Sequence, residues 1–290
     1  MQIVTDSGAD LSLSSEELAE HRISIVPLAV TLDGISYREG VDIQTGEFYR
    51  MLASTEALPT TSQPSAGDFA ATYRRLAATD PEILSIHITS ALSGTFAAAQ
   101  AGAGMVPEAH VTHFDTRTLS AATGWQVEAA ARAAQAGQQV GEILALLKDI
   151  GAATDVLFTL KELRYLVHGG RVGHMKGLVA SALRIKPLLG IDKDSGTLKQ
   201  LRIARSFEAA VRGLVDLIAT HHAPGTALQV QALHADNPEG MTMLHELVDE
   251  RFTCTWLPDG HISLVLGAHS GPSLVGIAFA PVGGMLKLEI

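Results

Sequence analysis

A single cysteine, Cys254, stands in a chain of 290 residues. It leaves no partner for a disulfide framework and no thiolate set for a cysteine-rich zinc site. Charge is also scarce. Asp, Glu, Lys and Arg make up 18% of the chain, against ~25% in ordinary soluble domains. The charge present is acidic, with a formal net value of −10, which argues against binding nucleic acid by bulk electrostatics. The sequence has no Gly-x-x-x-x-Gly-Lys-Ser/Thr phosphate loop and no Gly-x-Ser-x-Gly nucleophile elbow. His245-Glu246 opens like a zinc-protease helix, but the position four after His245 is Asp249. That reads as a surface histidine beside an acid. No basic patch followed by an apolar leader opens the chain, so the expected location is cytoplasmic.

Apolar residues are abundant, at 47%, and mean hydropathy is positive. That much apolar surface must be hidden in a thick core, an interface or the walls of a site for a greasy ligand. Two charge-free windows, Ile83–Pro107 and Gly260–Leu286, reach the ~20 residues that span a bilayer. Both carry histidine, serine and glycine at their centres. A lone membrane helix would have to bury those groups in hydrocarbon, so both windows read as buried structure of a soluble fold.

Short apolar runs alternate with amphipathic stretches, the pattern of an α/β protein. Strands are expected at Ile3–Thr5, Ile25–Leu32, Ile83–Ile88, Val111–Phe114, Val156–Leu160 and Leu228–His234. Helices are expected from about Ser14, then over Thr45–Ser54, Ala66–Ala78, from Ser93, and over Leu119–Gln135, Val140–Ile150, Phe207–Ala219 and Gly240–Glu250. Asp33-Gly34 and Asp194-Ser195-Gly196 are hairpin signals. His221-His222 marks a helix end. A break near Gly151–Thr154 divides the chain into an N-terminal α/β domain, 1–155, with a mainly parallel sheet, and a C-terminal α+β domain, 156–290. Between Lys161 and Arg205 the local charge is +7, leaving −17 for the remainder. This stretch is either a solvated basic face or a docking patch for phosphate, anionic lipid headgroups or an acidic partner.

Three polar clusters interrupt apolar or glycine-rich surroundings. Thr60-Thr61-Ser62-Gln63-Pro64-Ser65 precedes a helix. Ser65 and Asp68 form a capping box there, which leaves Thr61, Ser62 and Gln63 unexplained. Thr89-Ser90-Ala91-Leu92-Ser93-Gly94-Thr95 lies where a buried strand passes into a helix, at the carboxyl end of a strand, where α/β sheets bind anions. Gly267-Ala268-His269-Ser270-Gly271-Pro272-Ser273 places a lone histidine in an apolar block. A fourth segment, Gly169-Gly170-Arg171-Val172-Gly173, reads from spacing as a helix C-terminal turn more readily than as an anion cradle.

In order along the chain stand Ile3–Leu11 (IVTDSGADL), Pro59–Ser65, Leu92-Ser93-Gly94-Thr95-Phe96, Leu166–Val172 (LVHGGRV) and Gly267–Pro272. By these five motifs the sequence resembles the DegV family over nearly its whole length. Two positions depart from the pattern: Ser273 where glycine is usual, and His168 where a basic residue is common. The resemblance implies a two-domain fold enclosing a long-chain fatty acid, such as palmitate or oleate, at the domain junction. It implies the role of a binding subunit, without an ATP site, metal or other cofactor of its own. Such a subunit presents the acyl carboxyl to a separate ATP-dependent fatty acid kinase subunit, which makes acyl-phosphate for phospholipid metabolism. Carried over by motif, Thr61 and Ser93 bind the carboxyl group, Ser62, Gly94, Thr95 and His269 complete the head site, and Arg171 and Arg202 face the partner.

The chemistry is consistent with that implication. Burying a methylene contributes ~0.8 kcal/mol, so the tail supplies most of the affinity. Hydroxyls can satisfy a buried carboxyl, and a histidine can supply a proton in the physiological range. The basic stretch suits a partner carrying phosphates or a brief contact with an anionic membrane. Two other readings stay open. In a serine acyl hydrolase, Ser93 would be the nucleophile and His269 the base, oriented by Asp6 or Asp115. In a substrate subunit of the dihydroxyacetone-kinase type, a histidine would hold a small carbonyl compound.

Overall fold

The computed structural model describes residues 1–172 and 185–282. The chain runs β1 (Gln2–Asp6), α1 (Ser15–Glu20), β2 (Ile23–Val26), β3 (Ala29–Leu32), β4 (Ile35–Arg38), α2 (Thr45–Ser54), β5 (Thr60–Ser62), α3 (Ala66–Ala77), β6 (Glu82–His87), α4 (Thr95–Ala103), β7 (His110–Asp115), α5 (Ala121–Gln135) and α6 (Val140–Ala153). It continues through β8 (Asp155–Thr159), α7 (Arg164–His168), β9 (Lys186–Ile191), β10 (Leu198–Ala204), α8 (Phe207–Ile218), β11 (Ala227–His234), α9 (Pro238–Asp249), β12 (Thr253–Trp256), β13 (Gly260–His261), α10 (Leu264–Ser270) and β14 (Val275–Pro281).

The expected α/β class holds. The first sheet is parallel throughout, in the order β2-β1-β6-β7. Its central strands are apolar and buried, as strands covered on both faces must be. The second sheet follows β10-β9-β8-β14-β11-β12, with β13 also paired to β11. It begins at Asp155, whereas the strands of the first sheet end at Asp115. The third sheet is small, β4-β3-β5. On one face of the second sheet the apolar stripe of α8 (Ala210, Val211, Leu214, Val215, Ile218) packs on Val275, Ile277 and Phe279 of β14. The opposite face turns toward the N-terminal half and shares a core with Ile3, Leu84 and Trp125.

Local signals explain most boundaries. Asp33 and Gly34 both adopt positive φ, the two-residue turn that joins β3 to β4. Ser65 and Asp68 close the capping box that starts α3. The hairpin β9–β10 turns at Gly196, φ 71°. The helix α7 ends at Gly169, as the C-terminal-turn reading has it; Gly173 and the rest of 173–184 lie outside the described residues.

Three expectations need correction. Ile25–Leu32 is two strands in two different sheets, because Pro27, which lacks an N–H, interrupts the ladder between β2 and β3. Gly151–Ala153 form the last turn of α6, so the break expected over Gly151–Thr154 narrows to Thr154, where the chain straightens. The helix expected from Ser93 starts at Thr95, with Gly94 as its N-cap.

Candidate functional site

Between the second sheet and the N-terminal half lies a cavity of about 110 Å³. Its deep wall is apolar, including Phe158 of β8, Leu198 of β10, Leu233 of β11, and Gly276 and Ala278 of β14. Its other end is polar, and there Ser62, Gln63 and Arg171 reach solvent.

The room for this cavity comes from β14. Val275-Gly276-Ile277-Ala278-Phe279-Ala280 alternates large and small with the period of a strand. The large residues fill the core under α8, while Gly276 and Ala278, with part of Ile277 between them, line the cavity. A Cβ on Gly276 would sit 3.0 Å from Phe158 Cβ.

The polar end is assembled from four segments. Thr61 is held in β5, paired with Val30 of β3. His269 sits in the last turn of α10. The Thr61 hydroxyl and His269 Nε2 are hydrogen-bonded at 2.9 Å across 208 positions of sequence. The other ring nitrogen, Nδ1, is buried with no hydrogen-bond partner among the described residues. Gly169 backs onto it so closely that a Cβ there would overlap the imidazole. Burial, with Arg171 and then His168 adding like charge, pushes the His269 pKa down to about 4. The expectation that it supplies a proton or charge near neutrality is therefore corrected: at pH 7 the ring is neutral.

Ser93 lies in the loop between β6 and α4 and lines the cavity. Its hydroxyl is paired with that of Thr95 at 2.8 Å and accepts from the Thr95 N–H at 3.3 Å. Arg171, just beyond α7, donates from Nη1 to the Gly169 carbonyl at 2.6 Å and from Nε to the Leu92 carbonyl at 3.3 Å. It thus ties the end of α7 to the Ser93 loop while lining the cavity.

Of the residues singled out in the sequence, Thr61, Ser62, Ser93, Arg171 and His269 line one cavity. Gly94 and Thr95 support it without lining it. Gly94 leaves room for the Gln63 amide, 2.8 Å from where a Cβ would stand, and Thr95 is fully buried. Arg202 is elsewhere, exposed on β10 at the edge of the second sheet. Ser273, the departure from the motif, is buried and accepts a hydrogen bond from the Lys161 N–H at 3.0 Å.

The hydrolase arrangement is not assembled. Ser93 pairs with Thr95 rather than His269. Asp6 is bonded to His87 and Asp115 to Ser90. A Ser-His-Asp chain does exist inside the first sheet: Ser85 Oγ to His87 Nε2 at 2.6 Å and His87 Nδ1 to Asp6 Oδ2 at 2.9 Å, continued by Tyr73 to Ser85 at 2.7 Å. All four residues have 0% exposure, so no substrate reaches them. They satisfy one another's polar groups between β1 and β6. Among the described residues no cluster of His, Cys, Asp and Glu could hold a metal, and no helix is long and apolar enough to cross a membrane.

Sequence reasoning took Gly169 for a turn residue and not for the wall behind His269, and it missed Gly276 and Ala278. The alternation of size along 275–280 is the signal that could have exposed the last two.

Comparison with known proteins gives a consistent picture. The family model described as "Uncharacterised protein, DegV family" matches residues 1–282. A DegV domain-containing protein of Staphylococcus aureus (strain MRSA252) is 32% identical over 275 residues, covering 95% of this chain and 96% of the relative. A Thermus thermophilus DegV family protein, whose structure is described as showing fatty acid binding, superposes with a TM-score of 0.85 at 27% identity, covering 97% of this chain and 99% of its own. DegV of Bacillus subtilis, described as a fatty acid binding protein, has the same TM-score and identity, with 97% and 98% covered.

Proposed function

The chain belongs to the DegV family, and on that footing we propose that it binds a long-chain fatty acid and presents the carboxyl group to a separate ATP-dependent kinase subunit. One observation carries the reading: a single cavity joins a deep apolar wall to a mouth of hydroxyls and a neutral imidazole.

In this reading the acyl chain lies along Phe158, Leu233, Gly276 and Ala278, and each buried methylene contributes ~0.8 kcal/mol before ordering costs. The carboxyl group sits at Thr61 and Ser93, with Ser62, Gly94 and Thr95 shaping the loop around it. The Thr61–His269 bond has two senses, and the productive one has Nε2–H donating to Thr61 Oγ1. That leaves the Thr61 O–H free to donate to a carboxylate. Hydroxyl donors hold an anion less tightly than a bidentate arginine does, so the carboxyl oxygen remains a nucleophile for an incoming γ-phosphoryl group. Arg171 at the mouth and Arg202 at the sheet edge contact the kinase subunit. The partition is 1–155 and 156–290, with the fatty acid at the junction. The protein works in the cytoplasm and loads by brief contact with anionic membrane.

The test is a double substitution, Thr61→Ala with Ser93→Ala, assayed for acyl-phosphate formation with a DegV-partner kinase and ATP. Loss of product with the fold intact is expected. Unchanged turnover would remove these hydroxyls from the site.

A further inference from the structure

Two carboxylates outside the cavity converge on the helix that carries His269. Asp10 follows the short 3-10 turn after β1, in the left-handed region at φ 47°. Glu39 follows β4. Asp10 Oδ1 accepts from the Ser263 N–H at 2.8 Å, and Glu39 Oε1 accepts from the Leu264 N–H at 2.7 Å. These are among the first donors of α10, which a helix cannot satisfy internally. Ser120, whose hydroxyl donates to Asp10 Oδ2 at 2.5 Å, also lines the cavity. His269 stands six residues after Ser263, ~9 Å along α10.

The helix is tightly seated on both sides of His269. Gly267 lies against the Tyr49 hydroxyl and Gly271 against the Tyr165 ring, and neither position has room for a Cβ. Tyr49 donates to the Ile262 carbonyl at 3.2 Å, just before α10. A shift of the first turn therefore has no slack to absorb it before reaching His269.

The pair has no countercharge. Among the described residues neither carboxylate forms an ion pair with a lysine, arginine or histidine. Among the described residues Glu39 Oε2 is buried without a hydrogen-bond partner, and the Ser7 side chain beside the carboxyl only partly offsets its burial. The titratable groups facing the pair are Asp6 from β1 and Tyr49 from α2, with Asp236 beyond β11 acting on Tyr49. Each is anionic or neutral, never cationic. Asp6 is itself engaged by His87, and His261 lies 6.0 Å from the Tyr49 ring. The N-terminal dipole of α10 favours one negative charge here; a second charge must be held against the first with little solvent between them.

We propose that Asp10 and Glu39 are positioning residues for the head site: they pin the first turn of α10, and through it hold His269 against Thr61, as long as the pair carries no more than one negative charge. This rests on the fatty acid reading above for its functional consequence. Burial pushes Asp10 up to about 7 and Glu39 up to about 8, so the second charge arrives just above neutrality. Raising the pH then drives the carboxylates apart, loosens the caps and weakens the grip on the ligand.

The test uses the full chain and a fluorescent long-chain fatty acid, titrated at pH 6.5, 7.5 and 9. Wild type is expected to weaken at least tenfold across that range. Glu39→Gln, which mimics the protonated acid, is expected to vary less than about threefold, and Asp10→Asn to show an intermediate slope. A cap with a purely structural role would shift affinity equally at every pH. Parallel profiles for wild type and both variants would overturn the proposal. The His269 ring resonances, followed by NMR without ligand, give a second readout: they should move between pH 7 and 9 in wild type and stay fixed in Glu39→Gln. If no probe binds at any pH, the fatty acid reading fails, and the NMR comparison alone decides the positioning role.

Discussion

Replacing Ala278 with phenylalanine should close the cavity without unfolding the protein. Ala278 stands in β14 between Val156 of β8 and Gln231 of β11, and its side chain is 2% exposed. In a filled core, added bulk costs ~1–3 kcal/mol. Here the added ring projects into existing space, so the stability change should lie at or below the low end of that range. The effect on binding is larger. A phenyl ring occupies the length of about four methylenes of an acyl chain, and at ~0.8 kcal/mol each their loss costs about 3 kcal/mol. That is about a 200-fold rise in Kd. The assay is displacement of a fluorescent fatty acid, with a thermal melt of the same sample. A Kd within about fivefold of wild type, at unchanged Tm, would refute the assignment of the β14 face as the wall of the acyl site.

Other consequences follow from the same geometry. Gly169→Ala should drive a methyl group into the His269 imidazole, break the Thr61 bond and weaken fatty acid binding at least tenfold; isothermal titration reads it, and unaltered affinity would contradict the seating of that ring. Asp6→Ala strips the acceptor from His87 and from the Gly8 and Ile88 N–H groups. With buried donors unpaired at ~1–3 kcal/mol each, it should cost on the order of 3–5 kcal/mol in urea unfolding. Stability should also fall as pH rises from 6.5 to 9. The carboxylates of Asp10 and Glu39 titrate higher in the folded protein than in the unfolded chain. The folded state therefore binds more protons from about pH 4 up to about 8, and unfolding becomes easier as pH rises through that window. Below pH 6.5 the depressed His269 acts in the opposite sense, so the comparison belongs above it. Scanning fluorimetry should show a shallower fall for Glu39→Gln, and an identical slope would contradict the assignment.

Much of the fold was legible because its signals are local. The boundaries of α2 match the expectation, and the β3–β4 and β9–β10 hairpins carry their turn residues in the sequence. The split between β2 and β3 was hidden because both strands are apolar and only Pro27 separates them. The Thr61–His269 pair joins residues 208 positions apart, so no spacing rule reaches it; the family motifs did. The imidazole's neutrality was illegible for a related reason, since burial and Arg171 act on it through space. The Ser85–His87–Asp6 chain shows the reverse hazard, with residues of catalytic type enclosed where no substrate arrives.

The most direct measurement is organic extraction of the purified protein followed by mass spectrometry of what it carries. The account predicts one long-chain fatty acid per chain, lost in Ala278→Phe. A protein that carries no acyl chain and takes up none when offered, or a small carbonyl compound attached to a histidine, would contradict it.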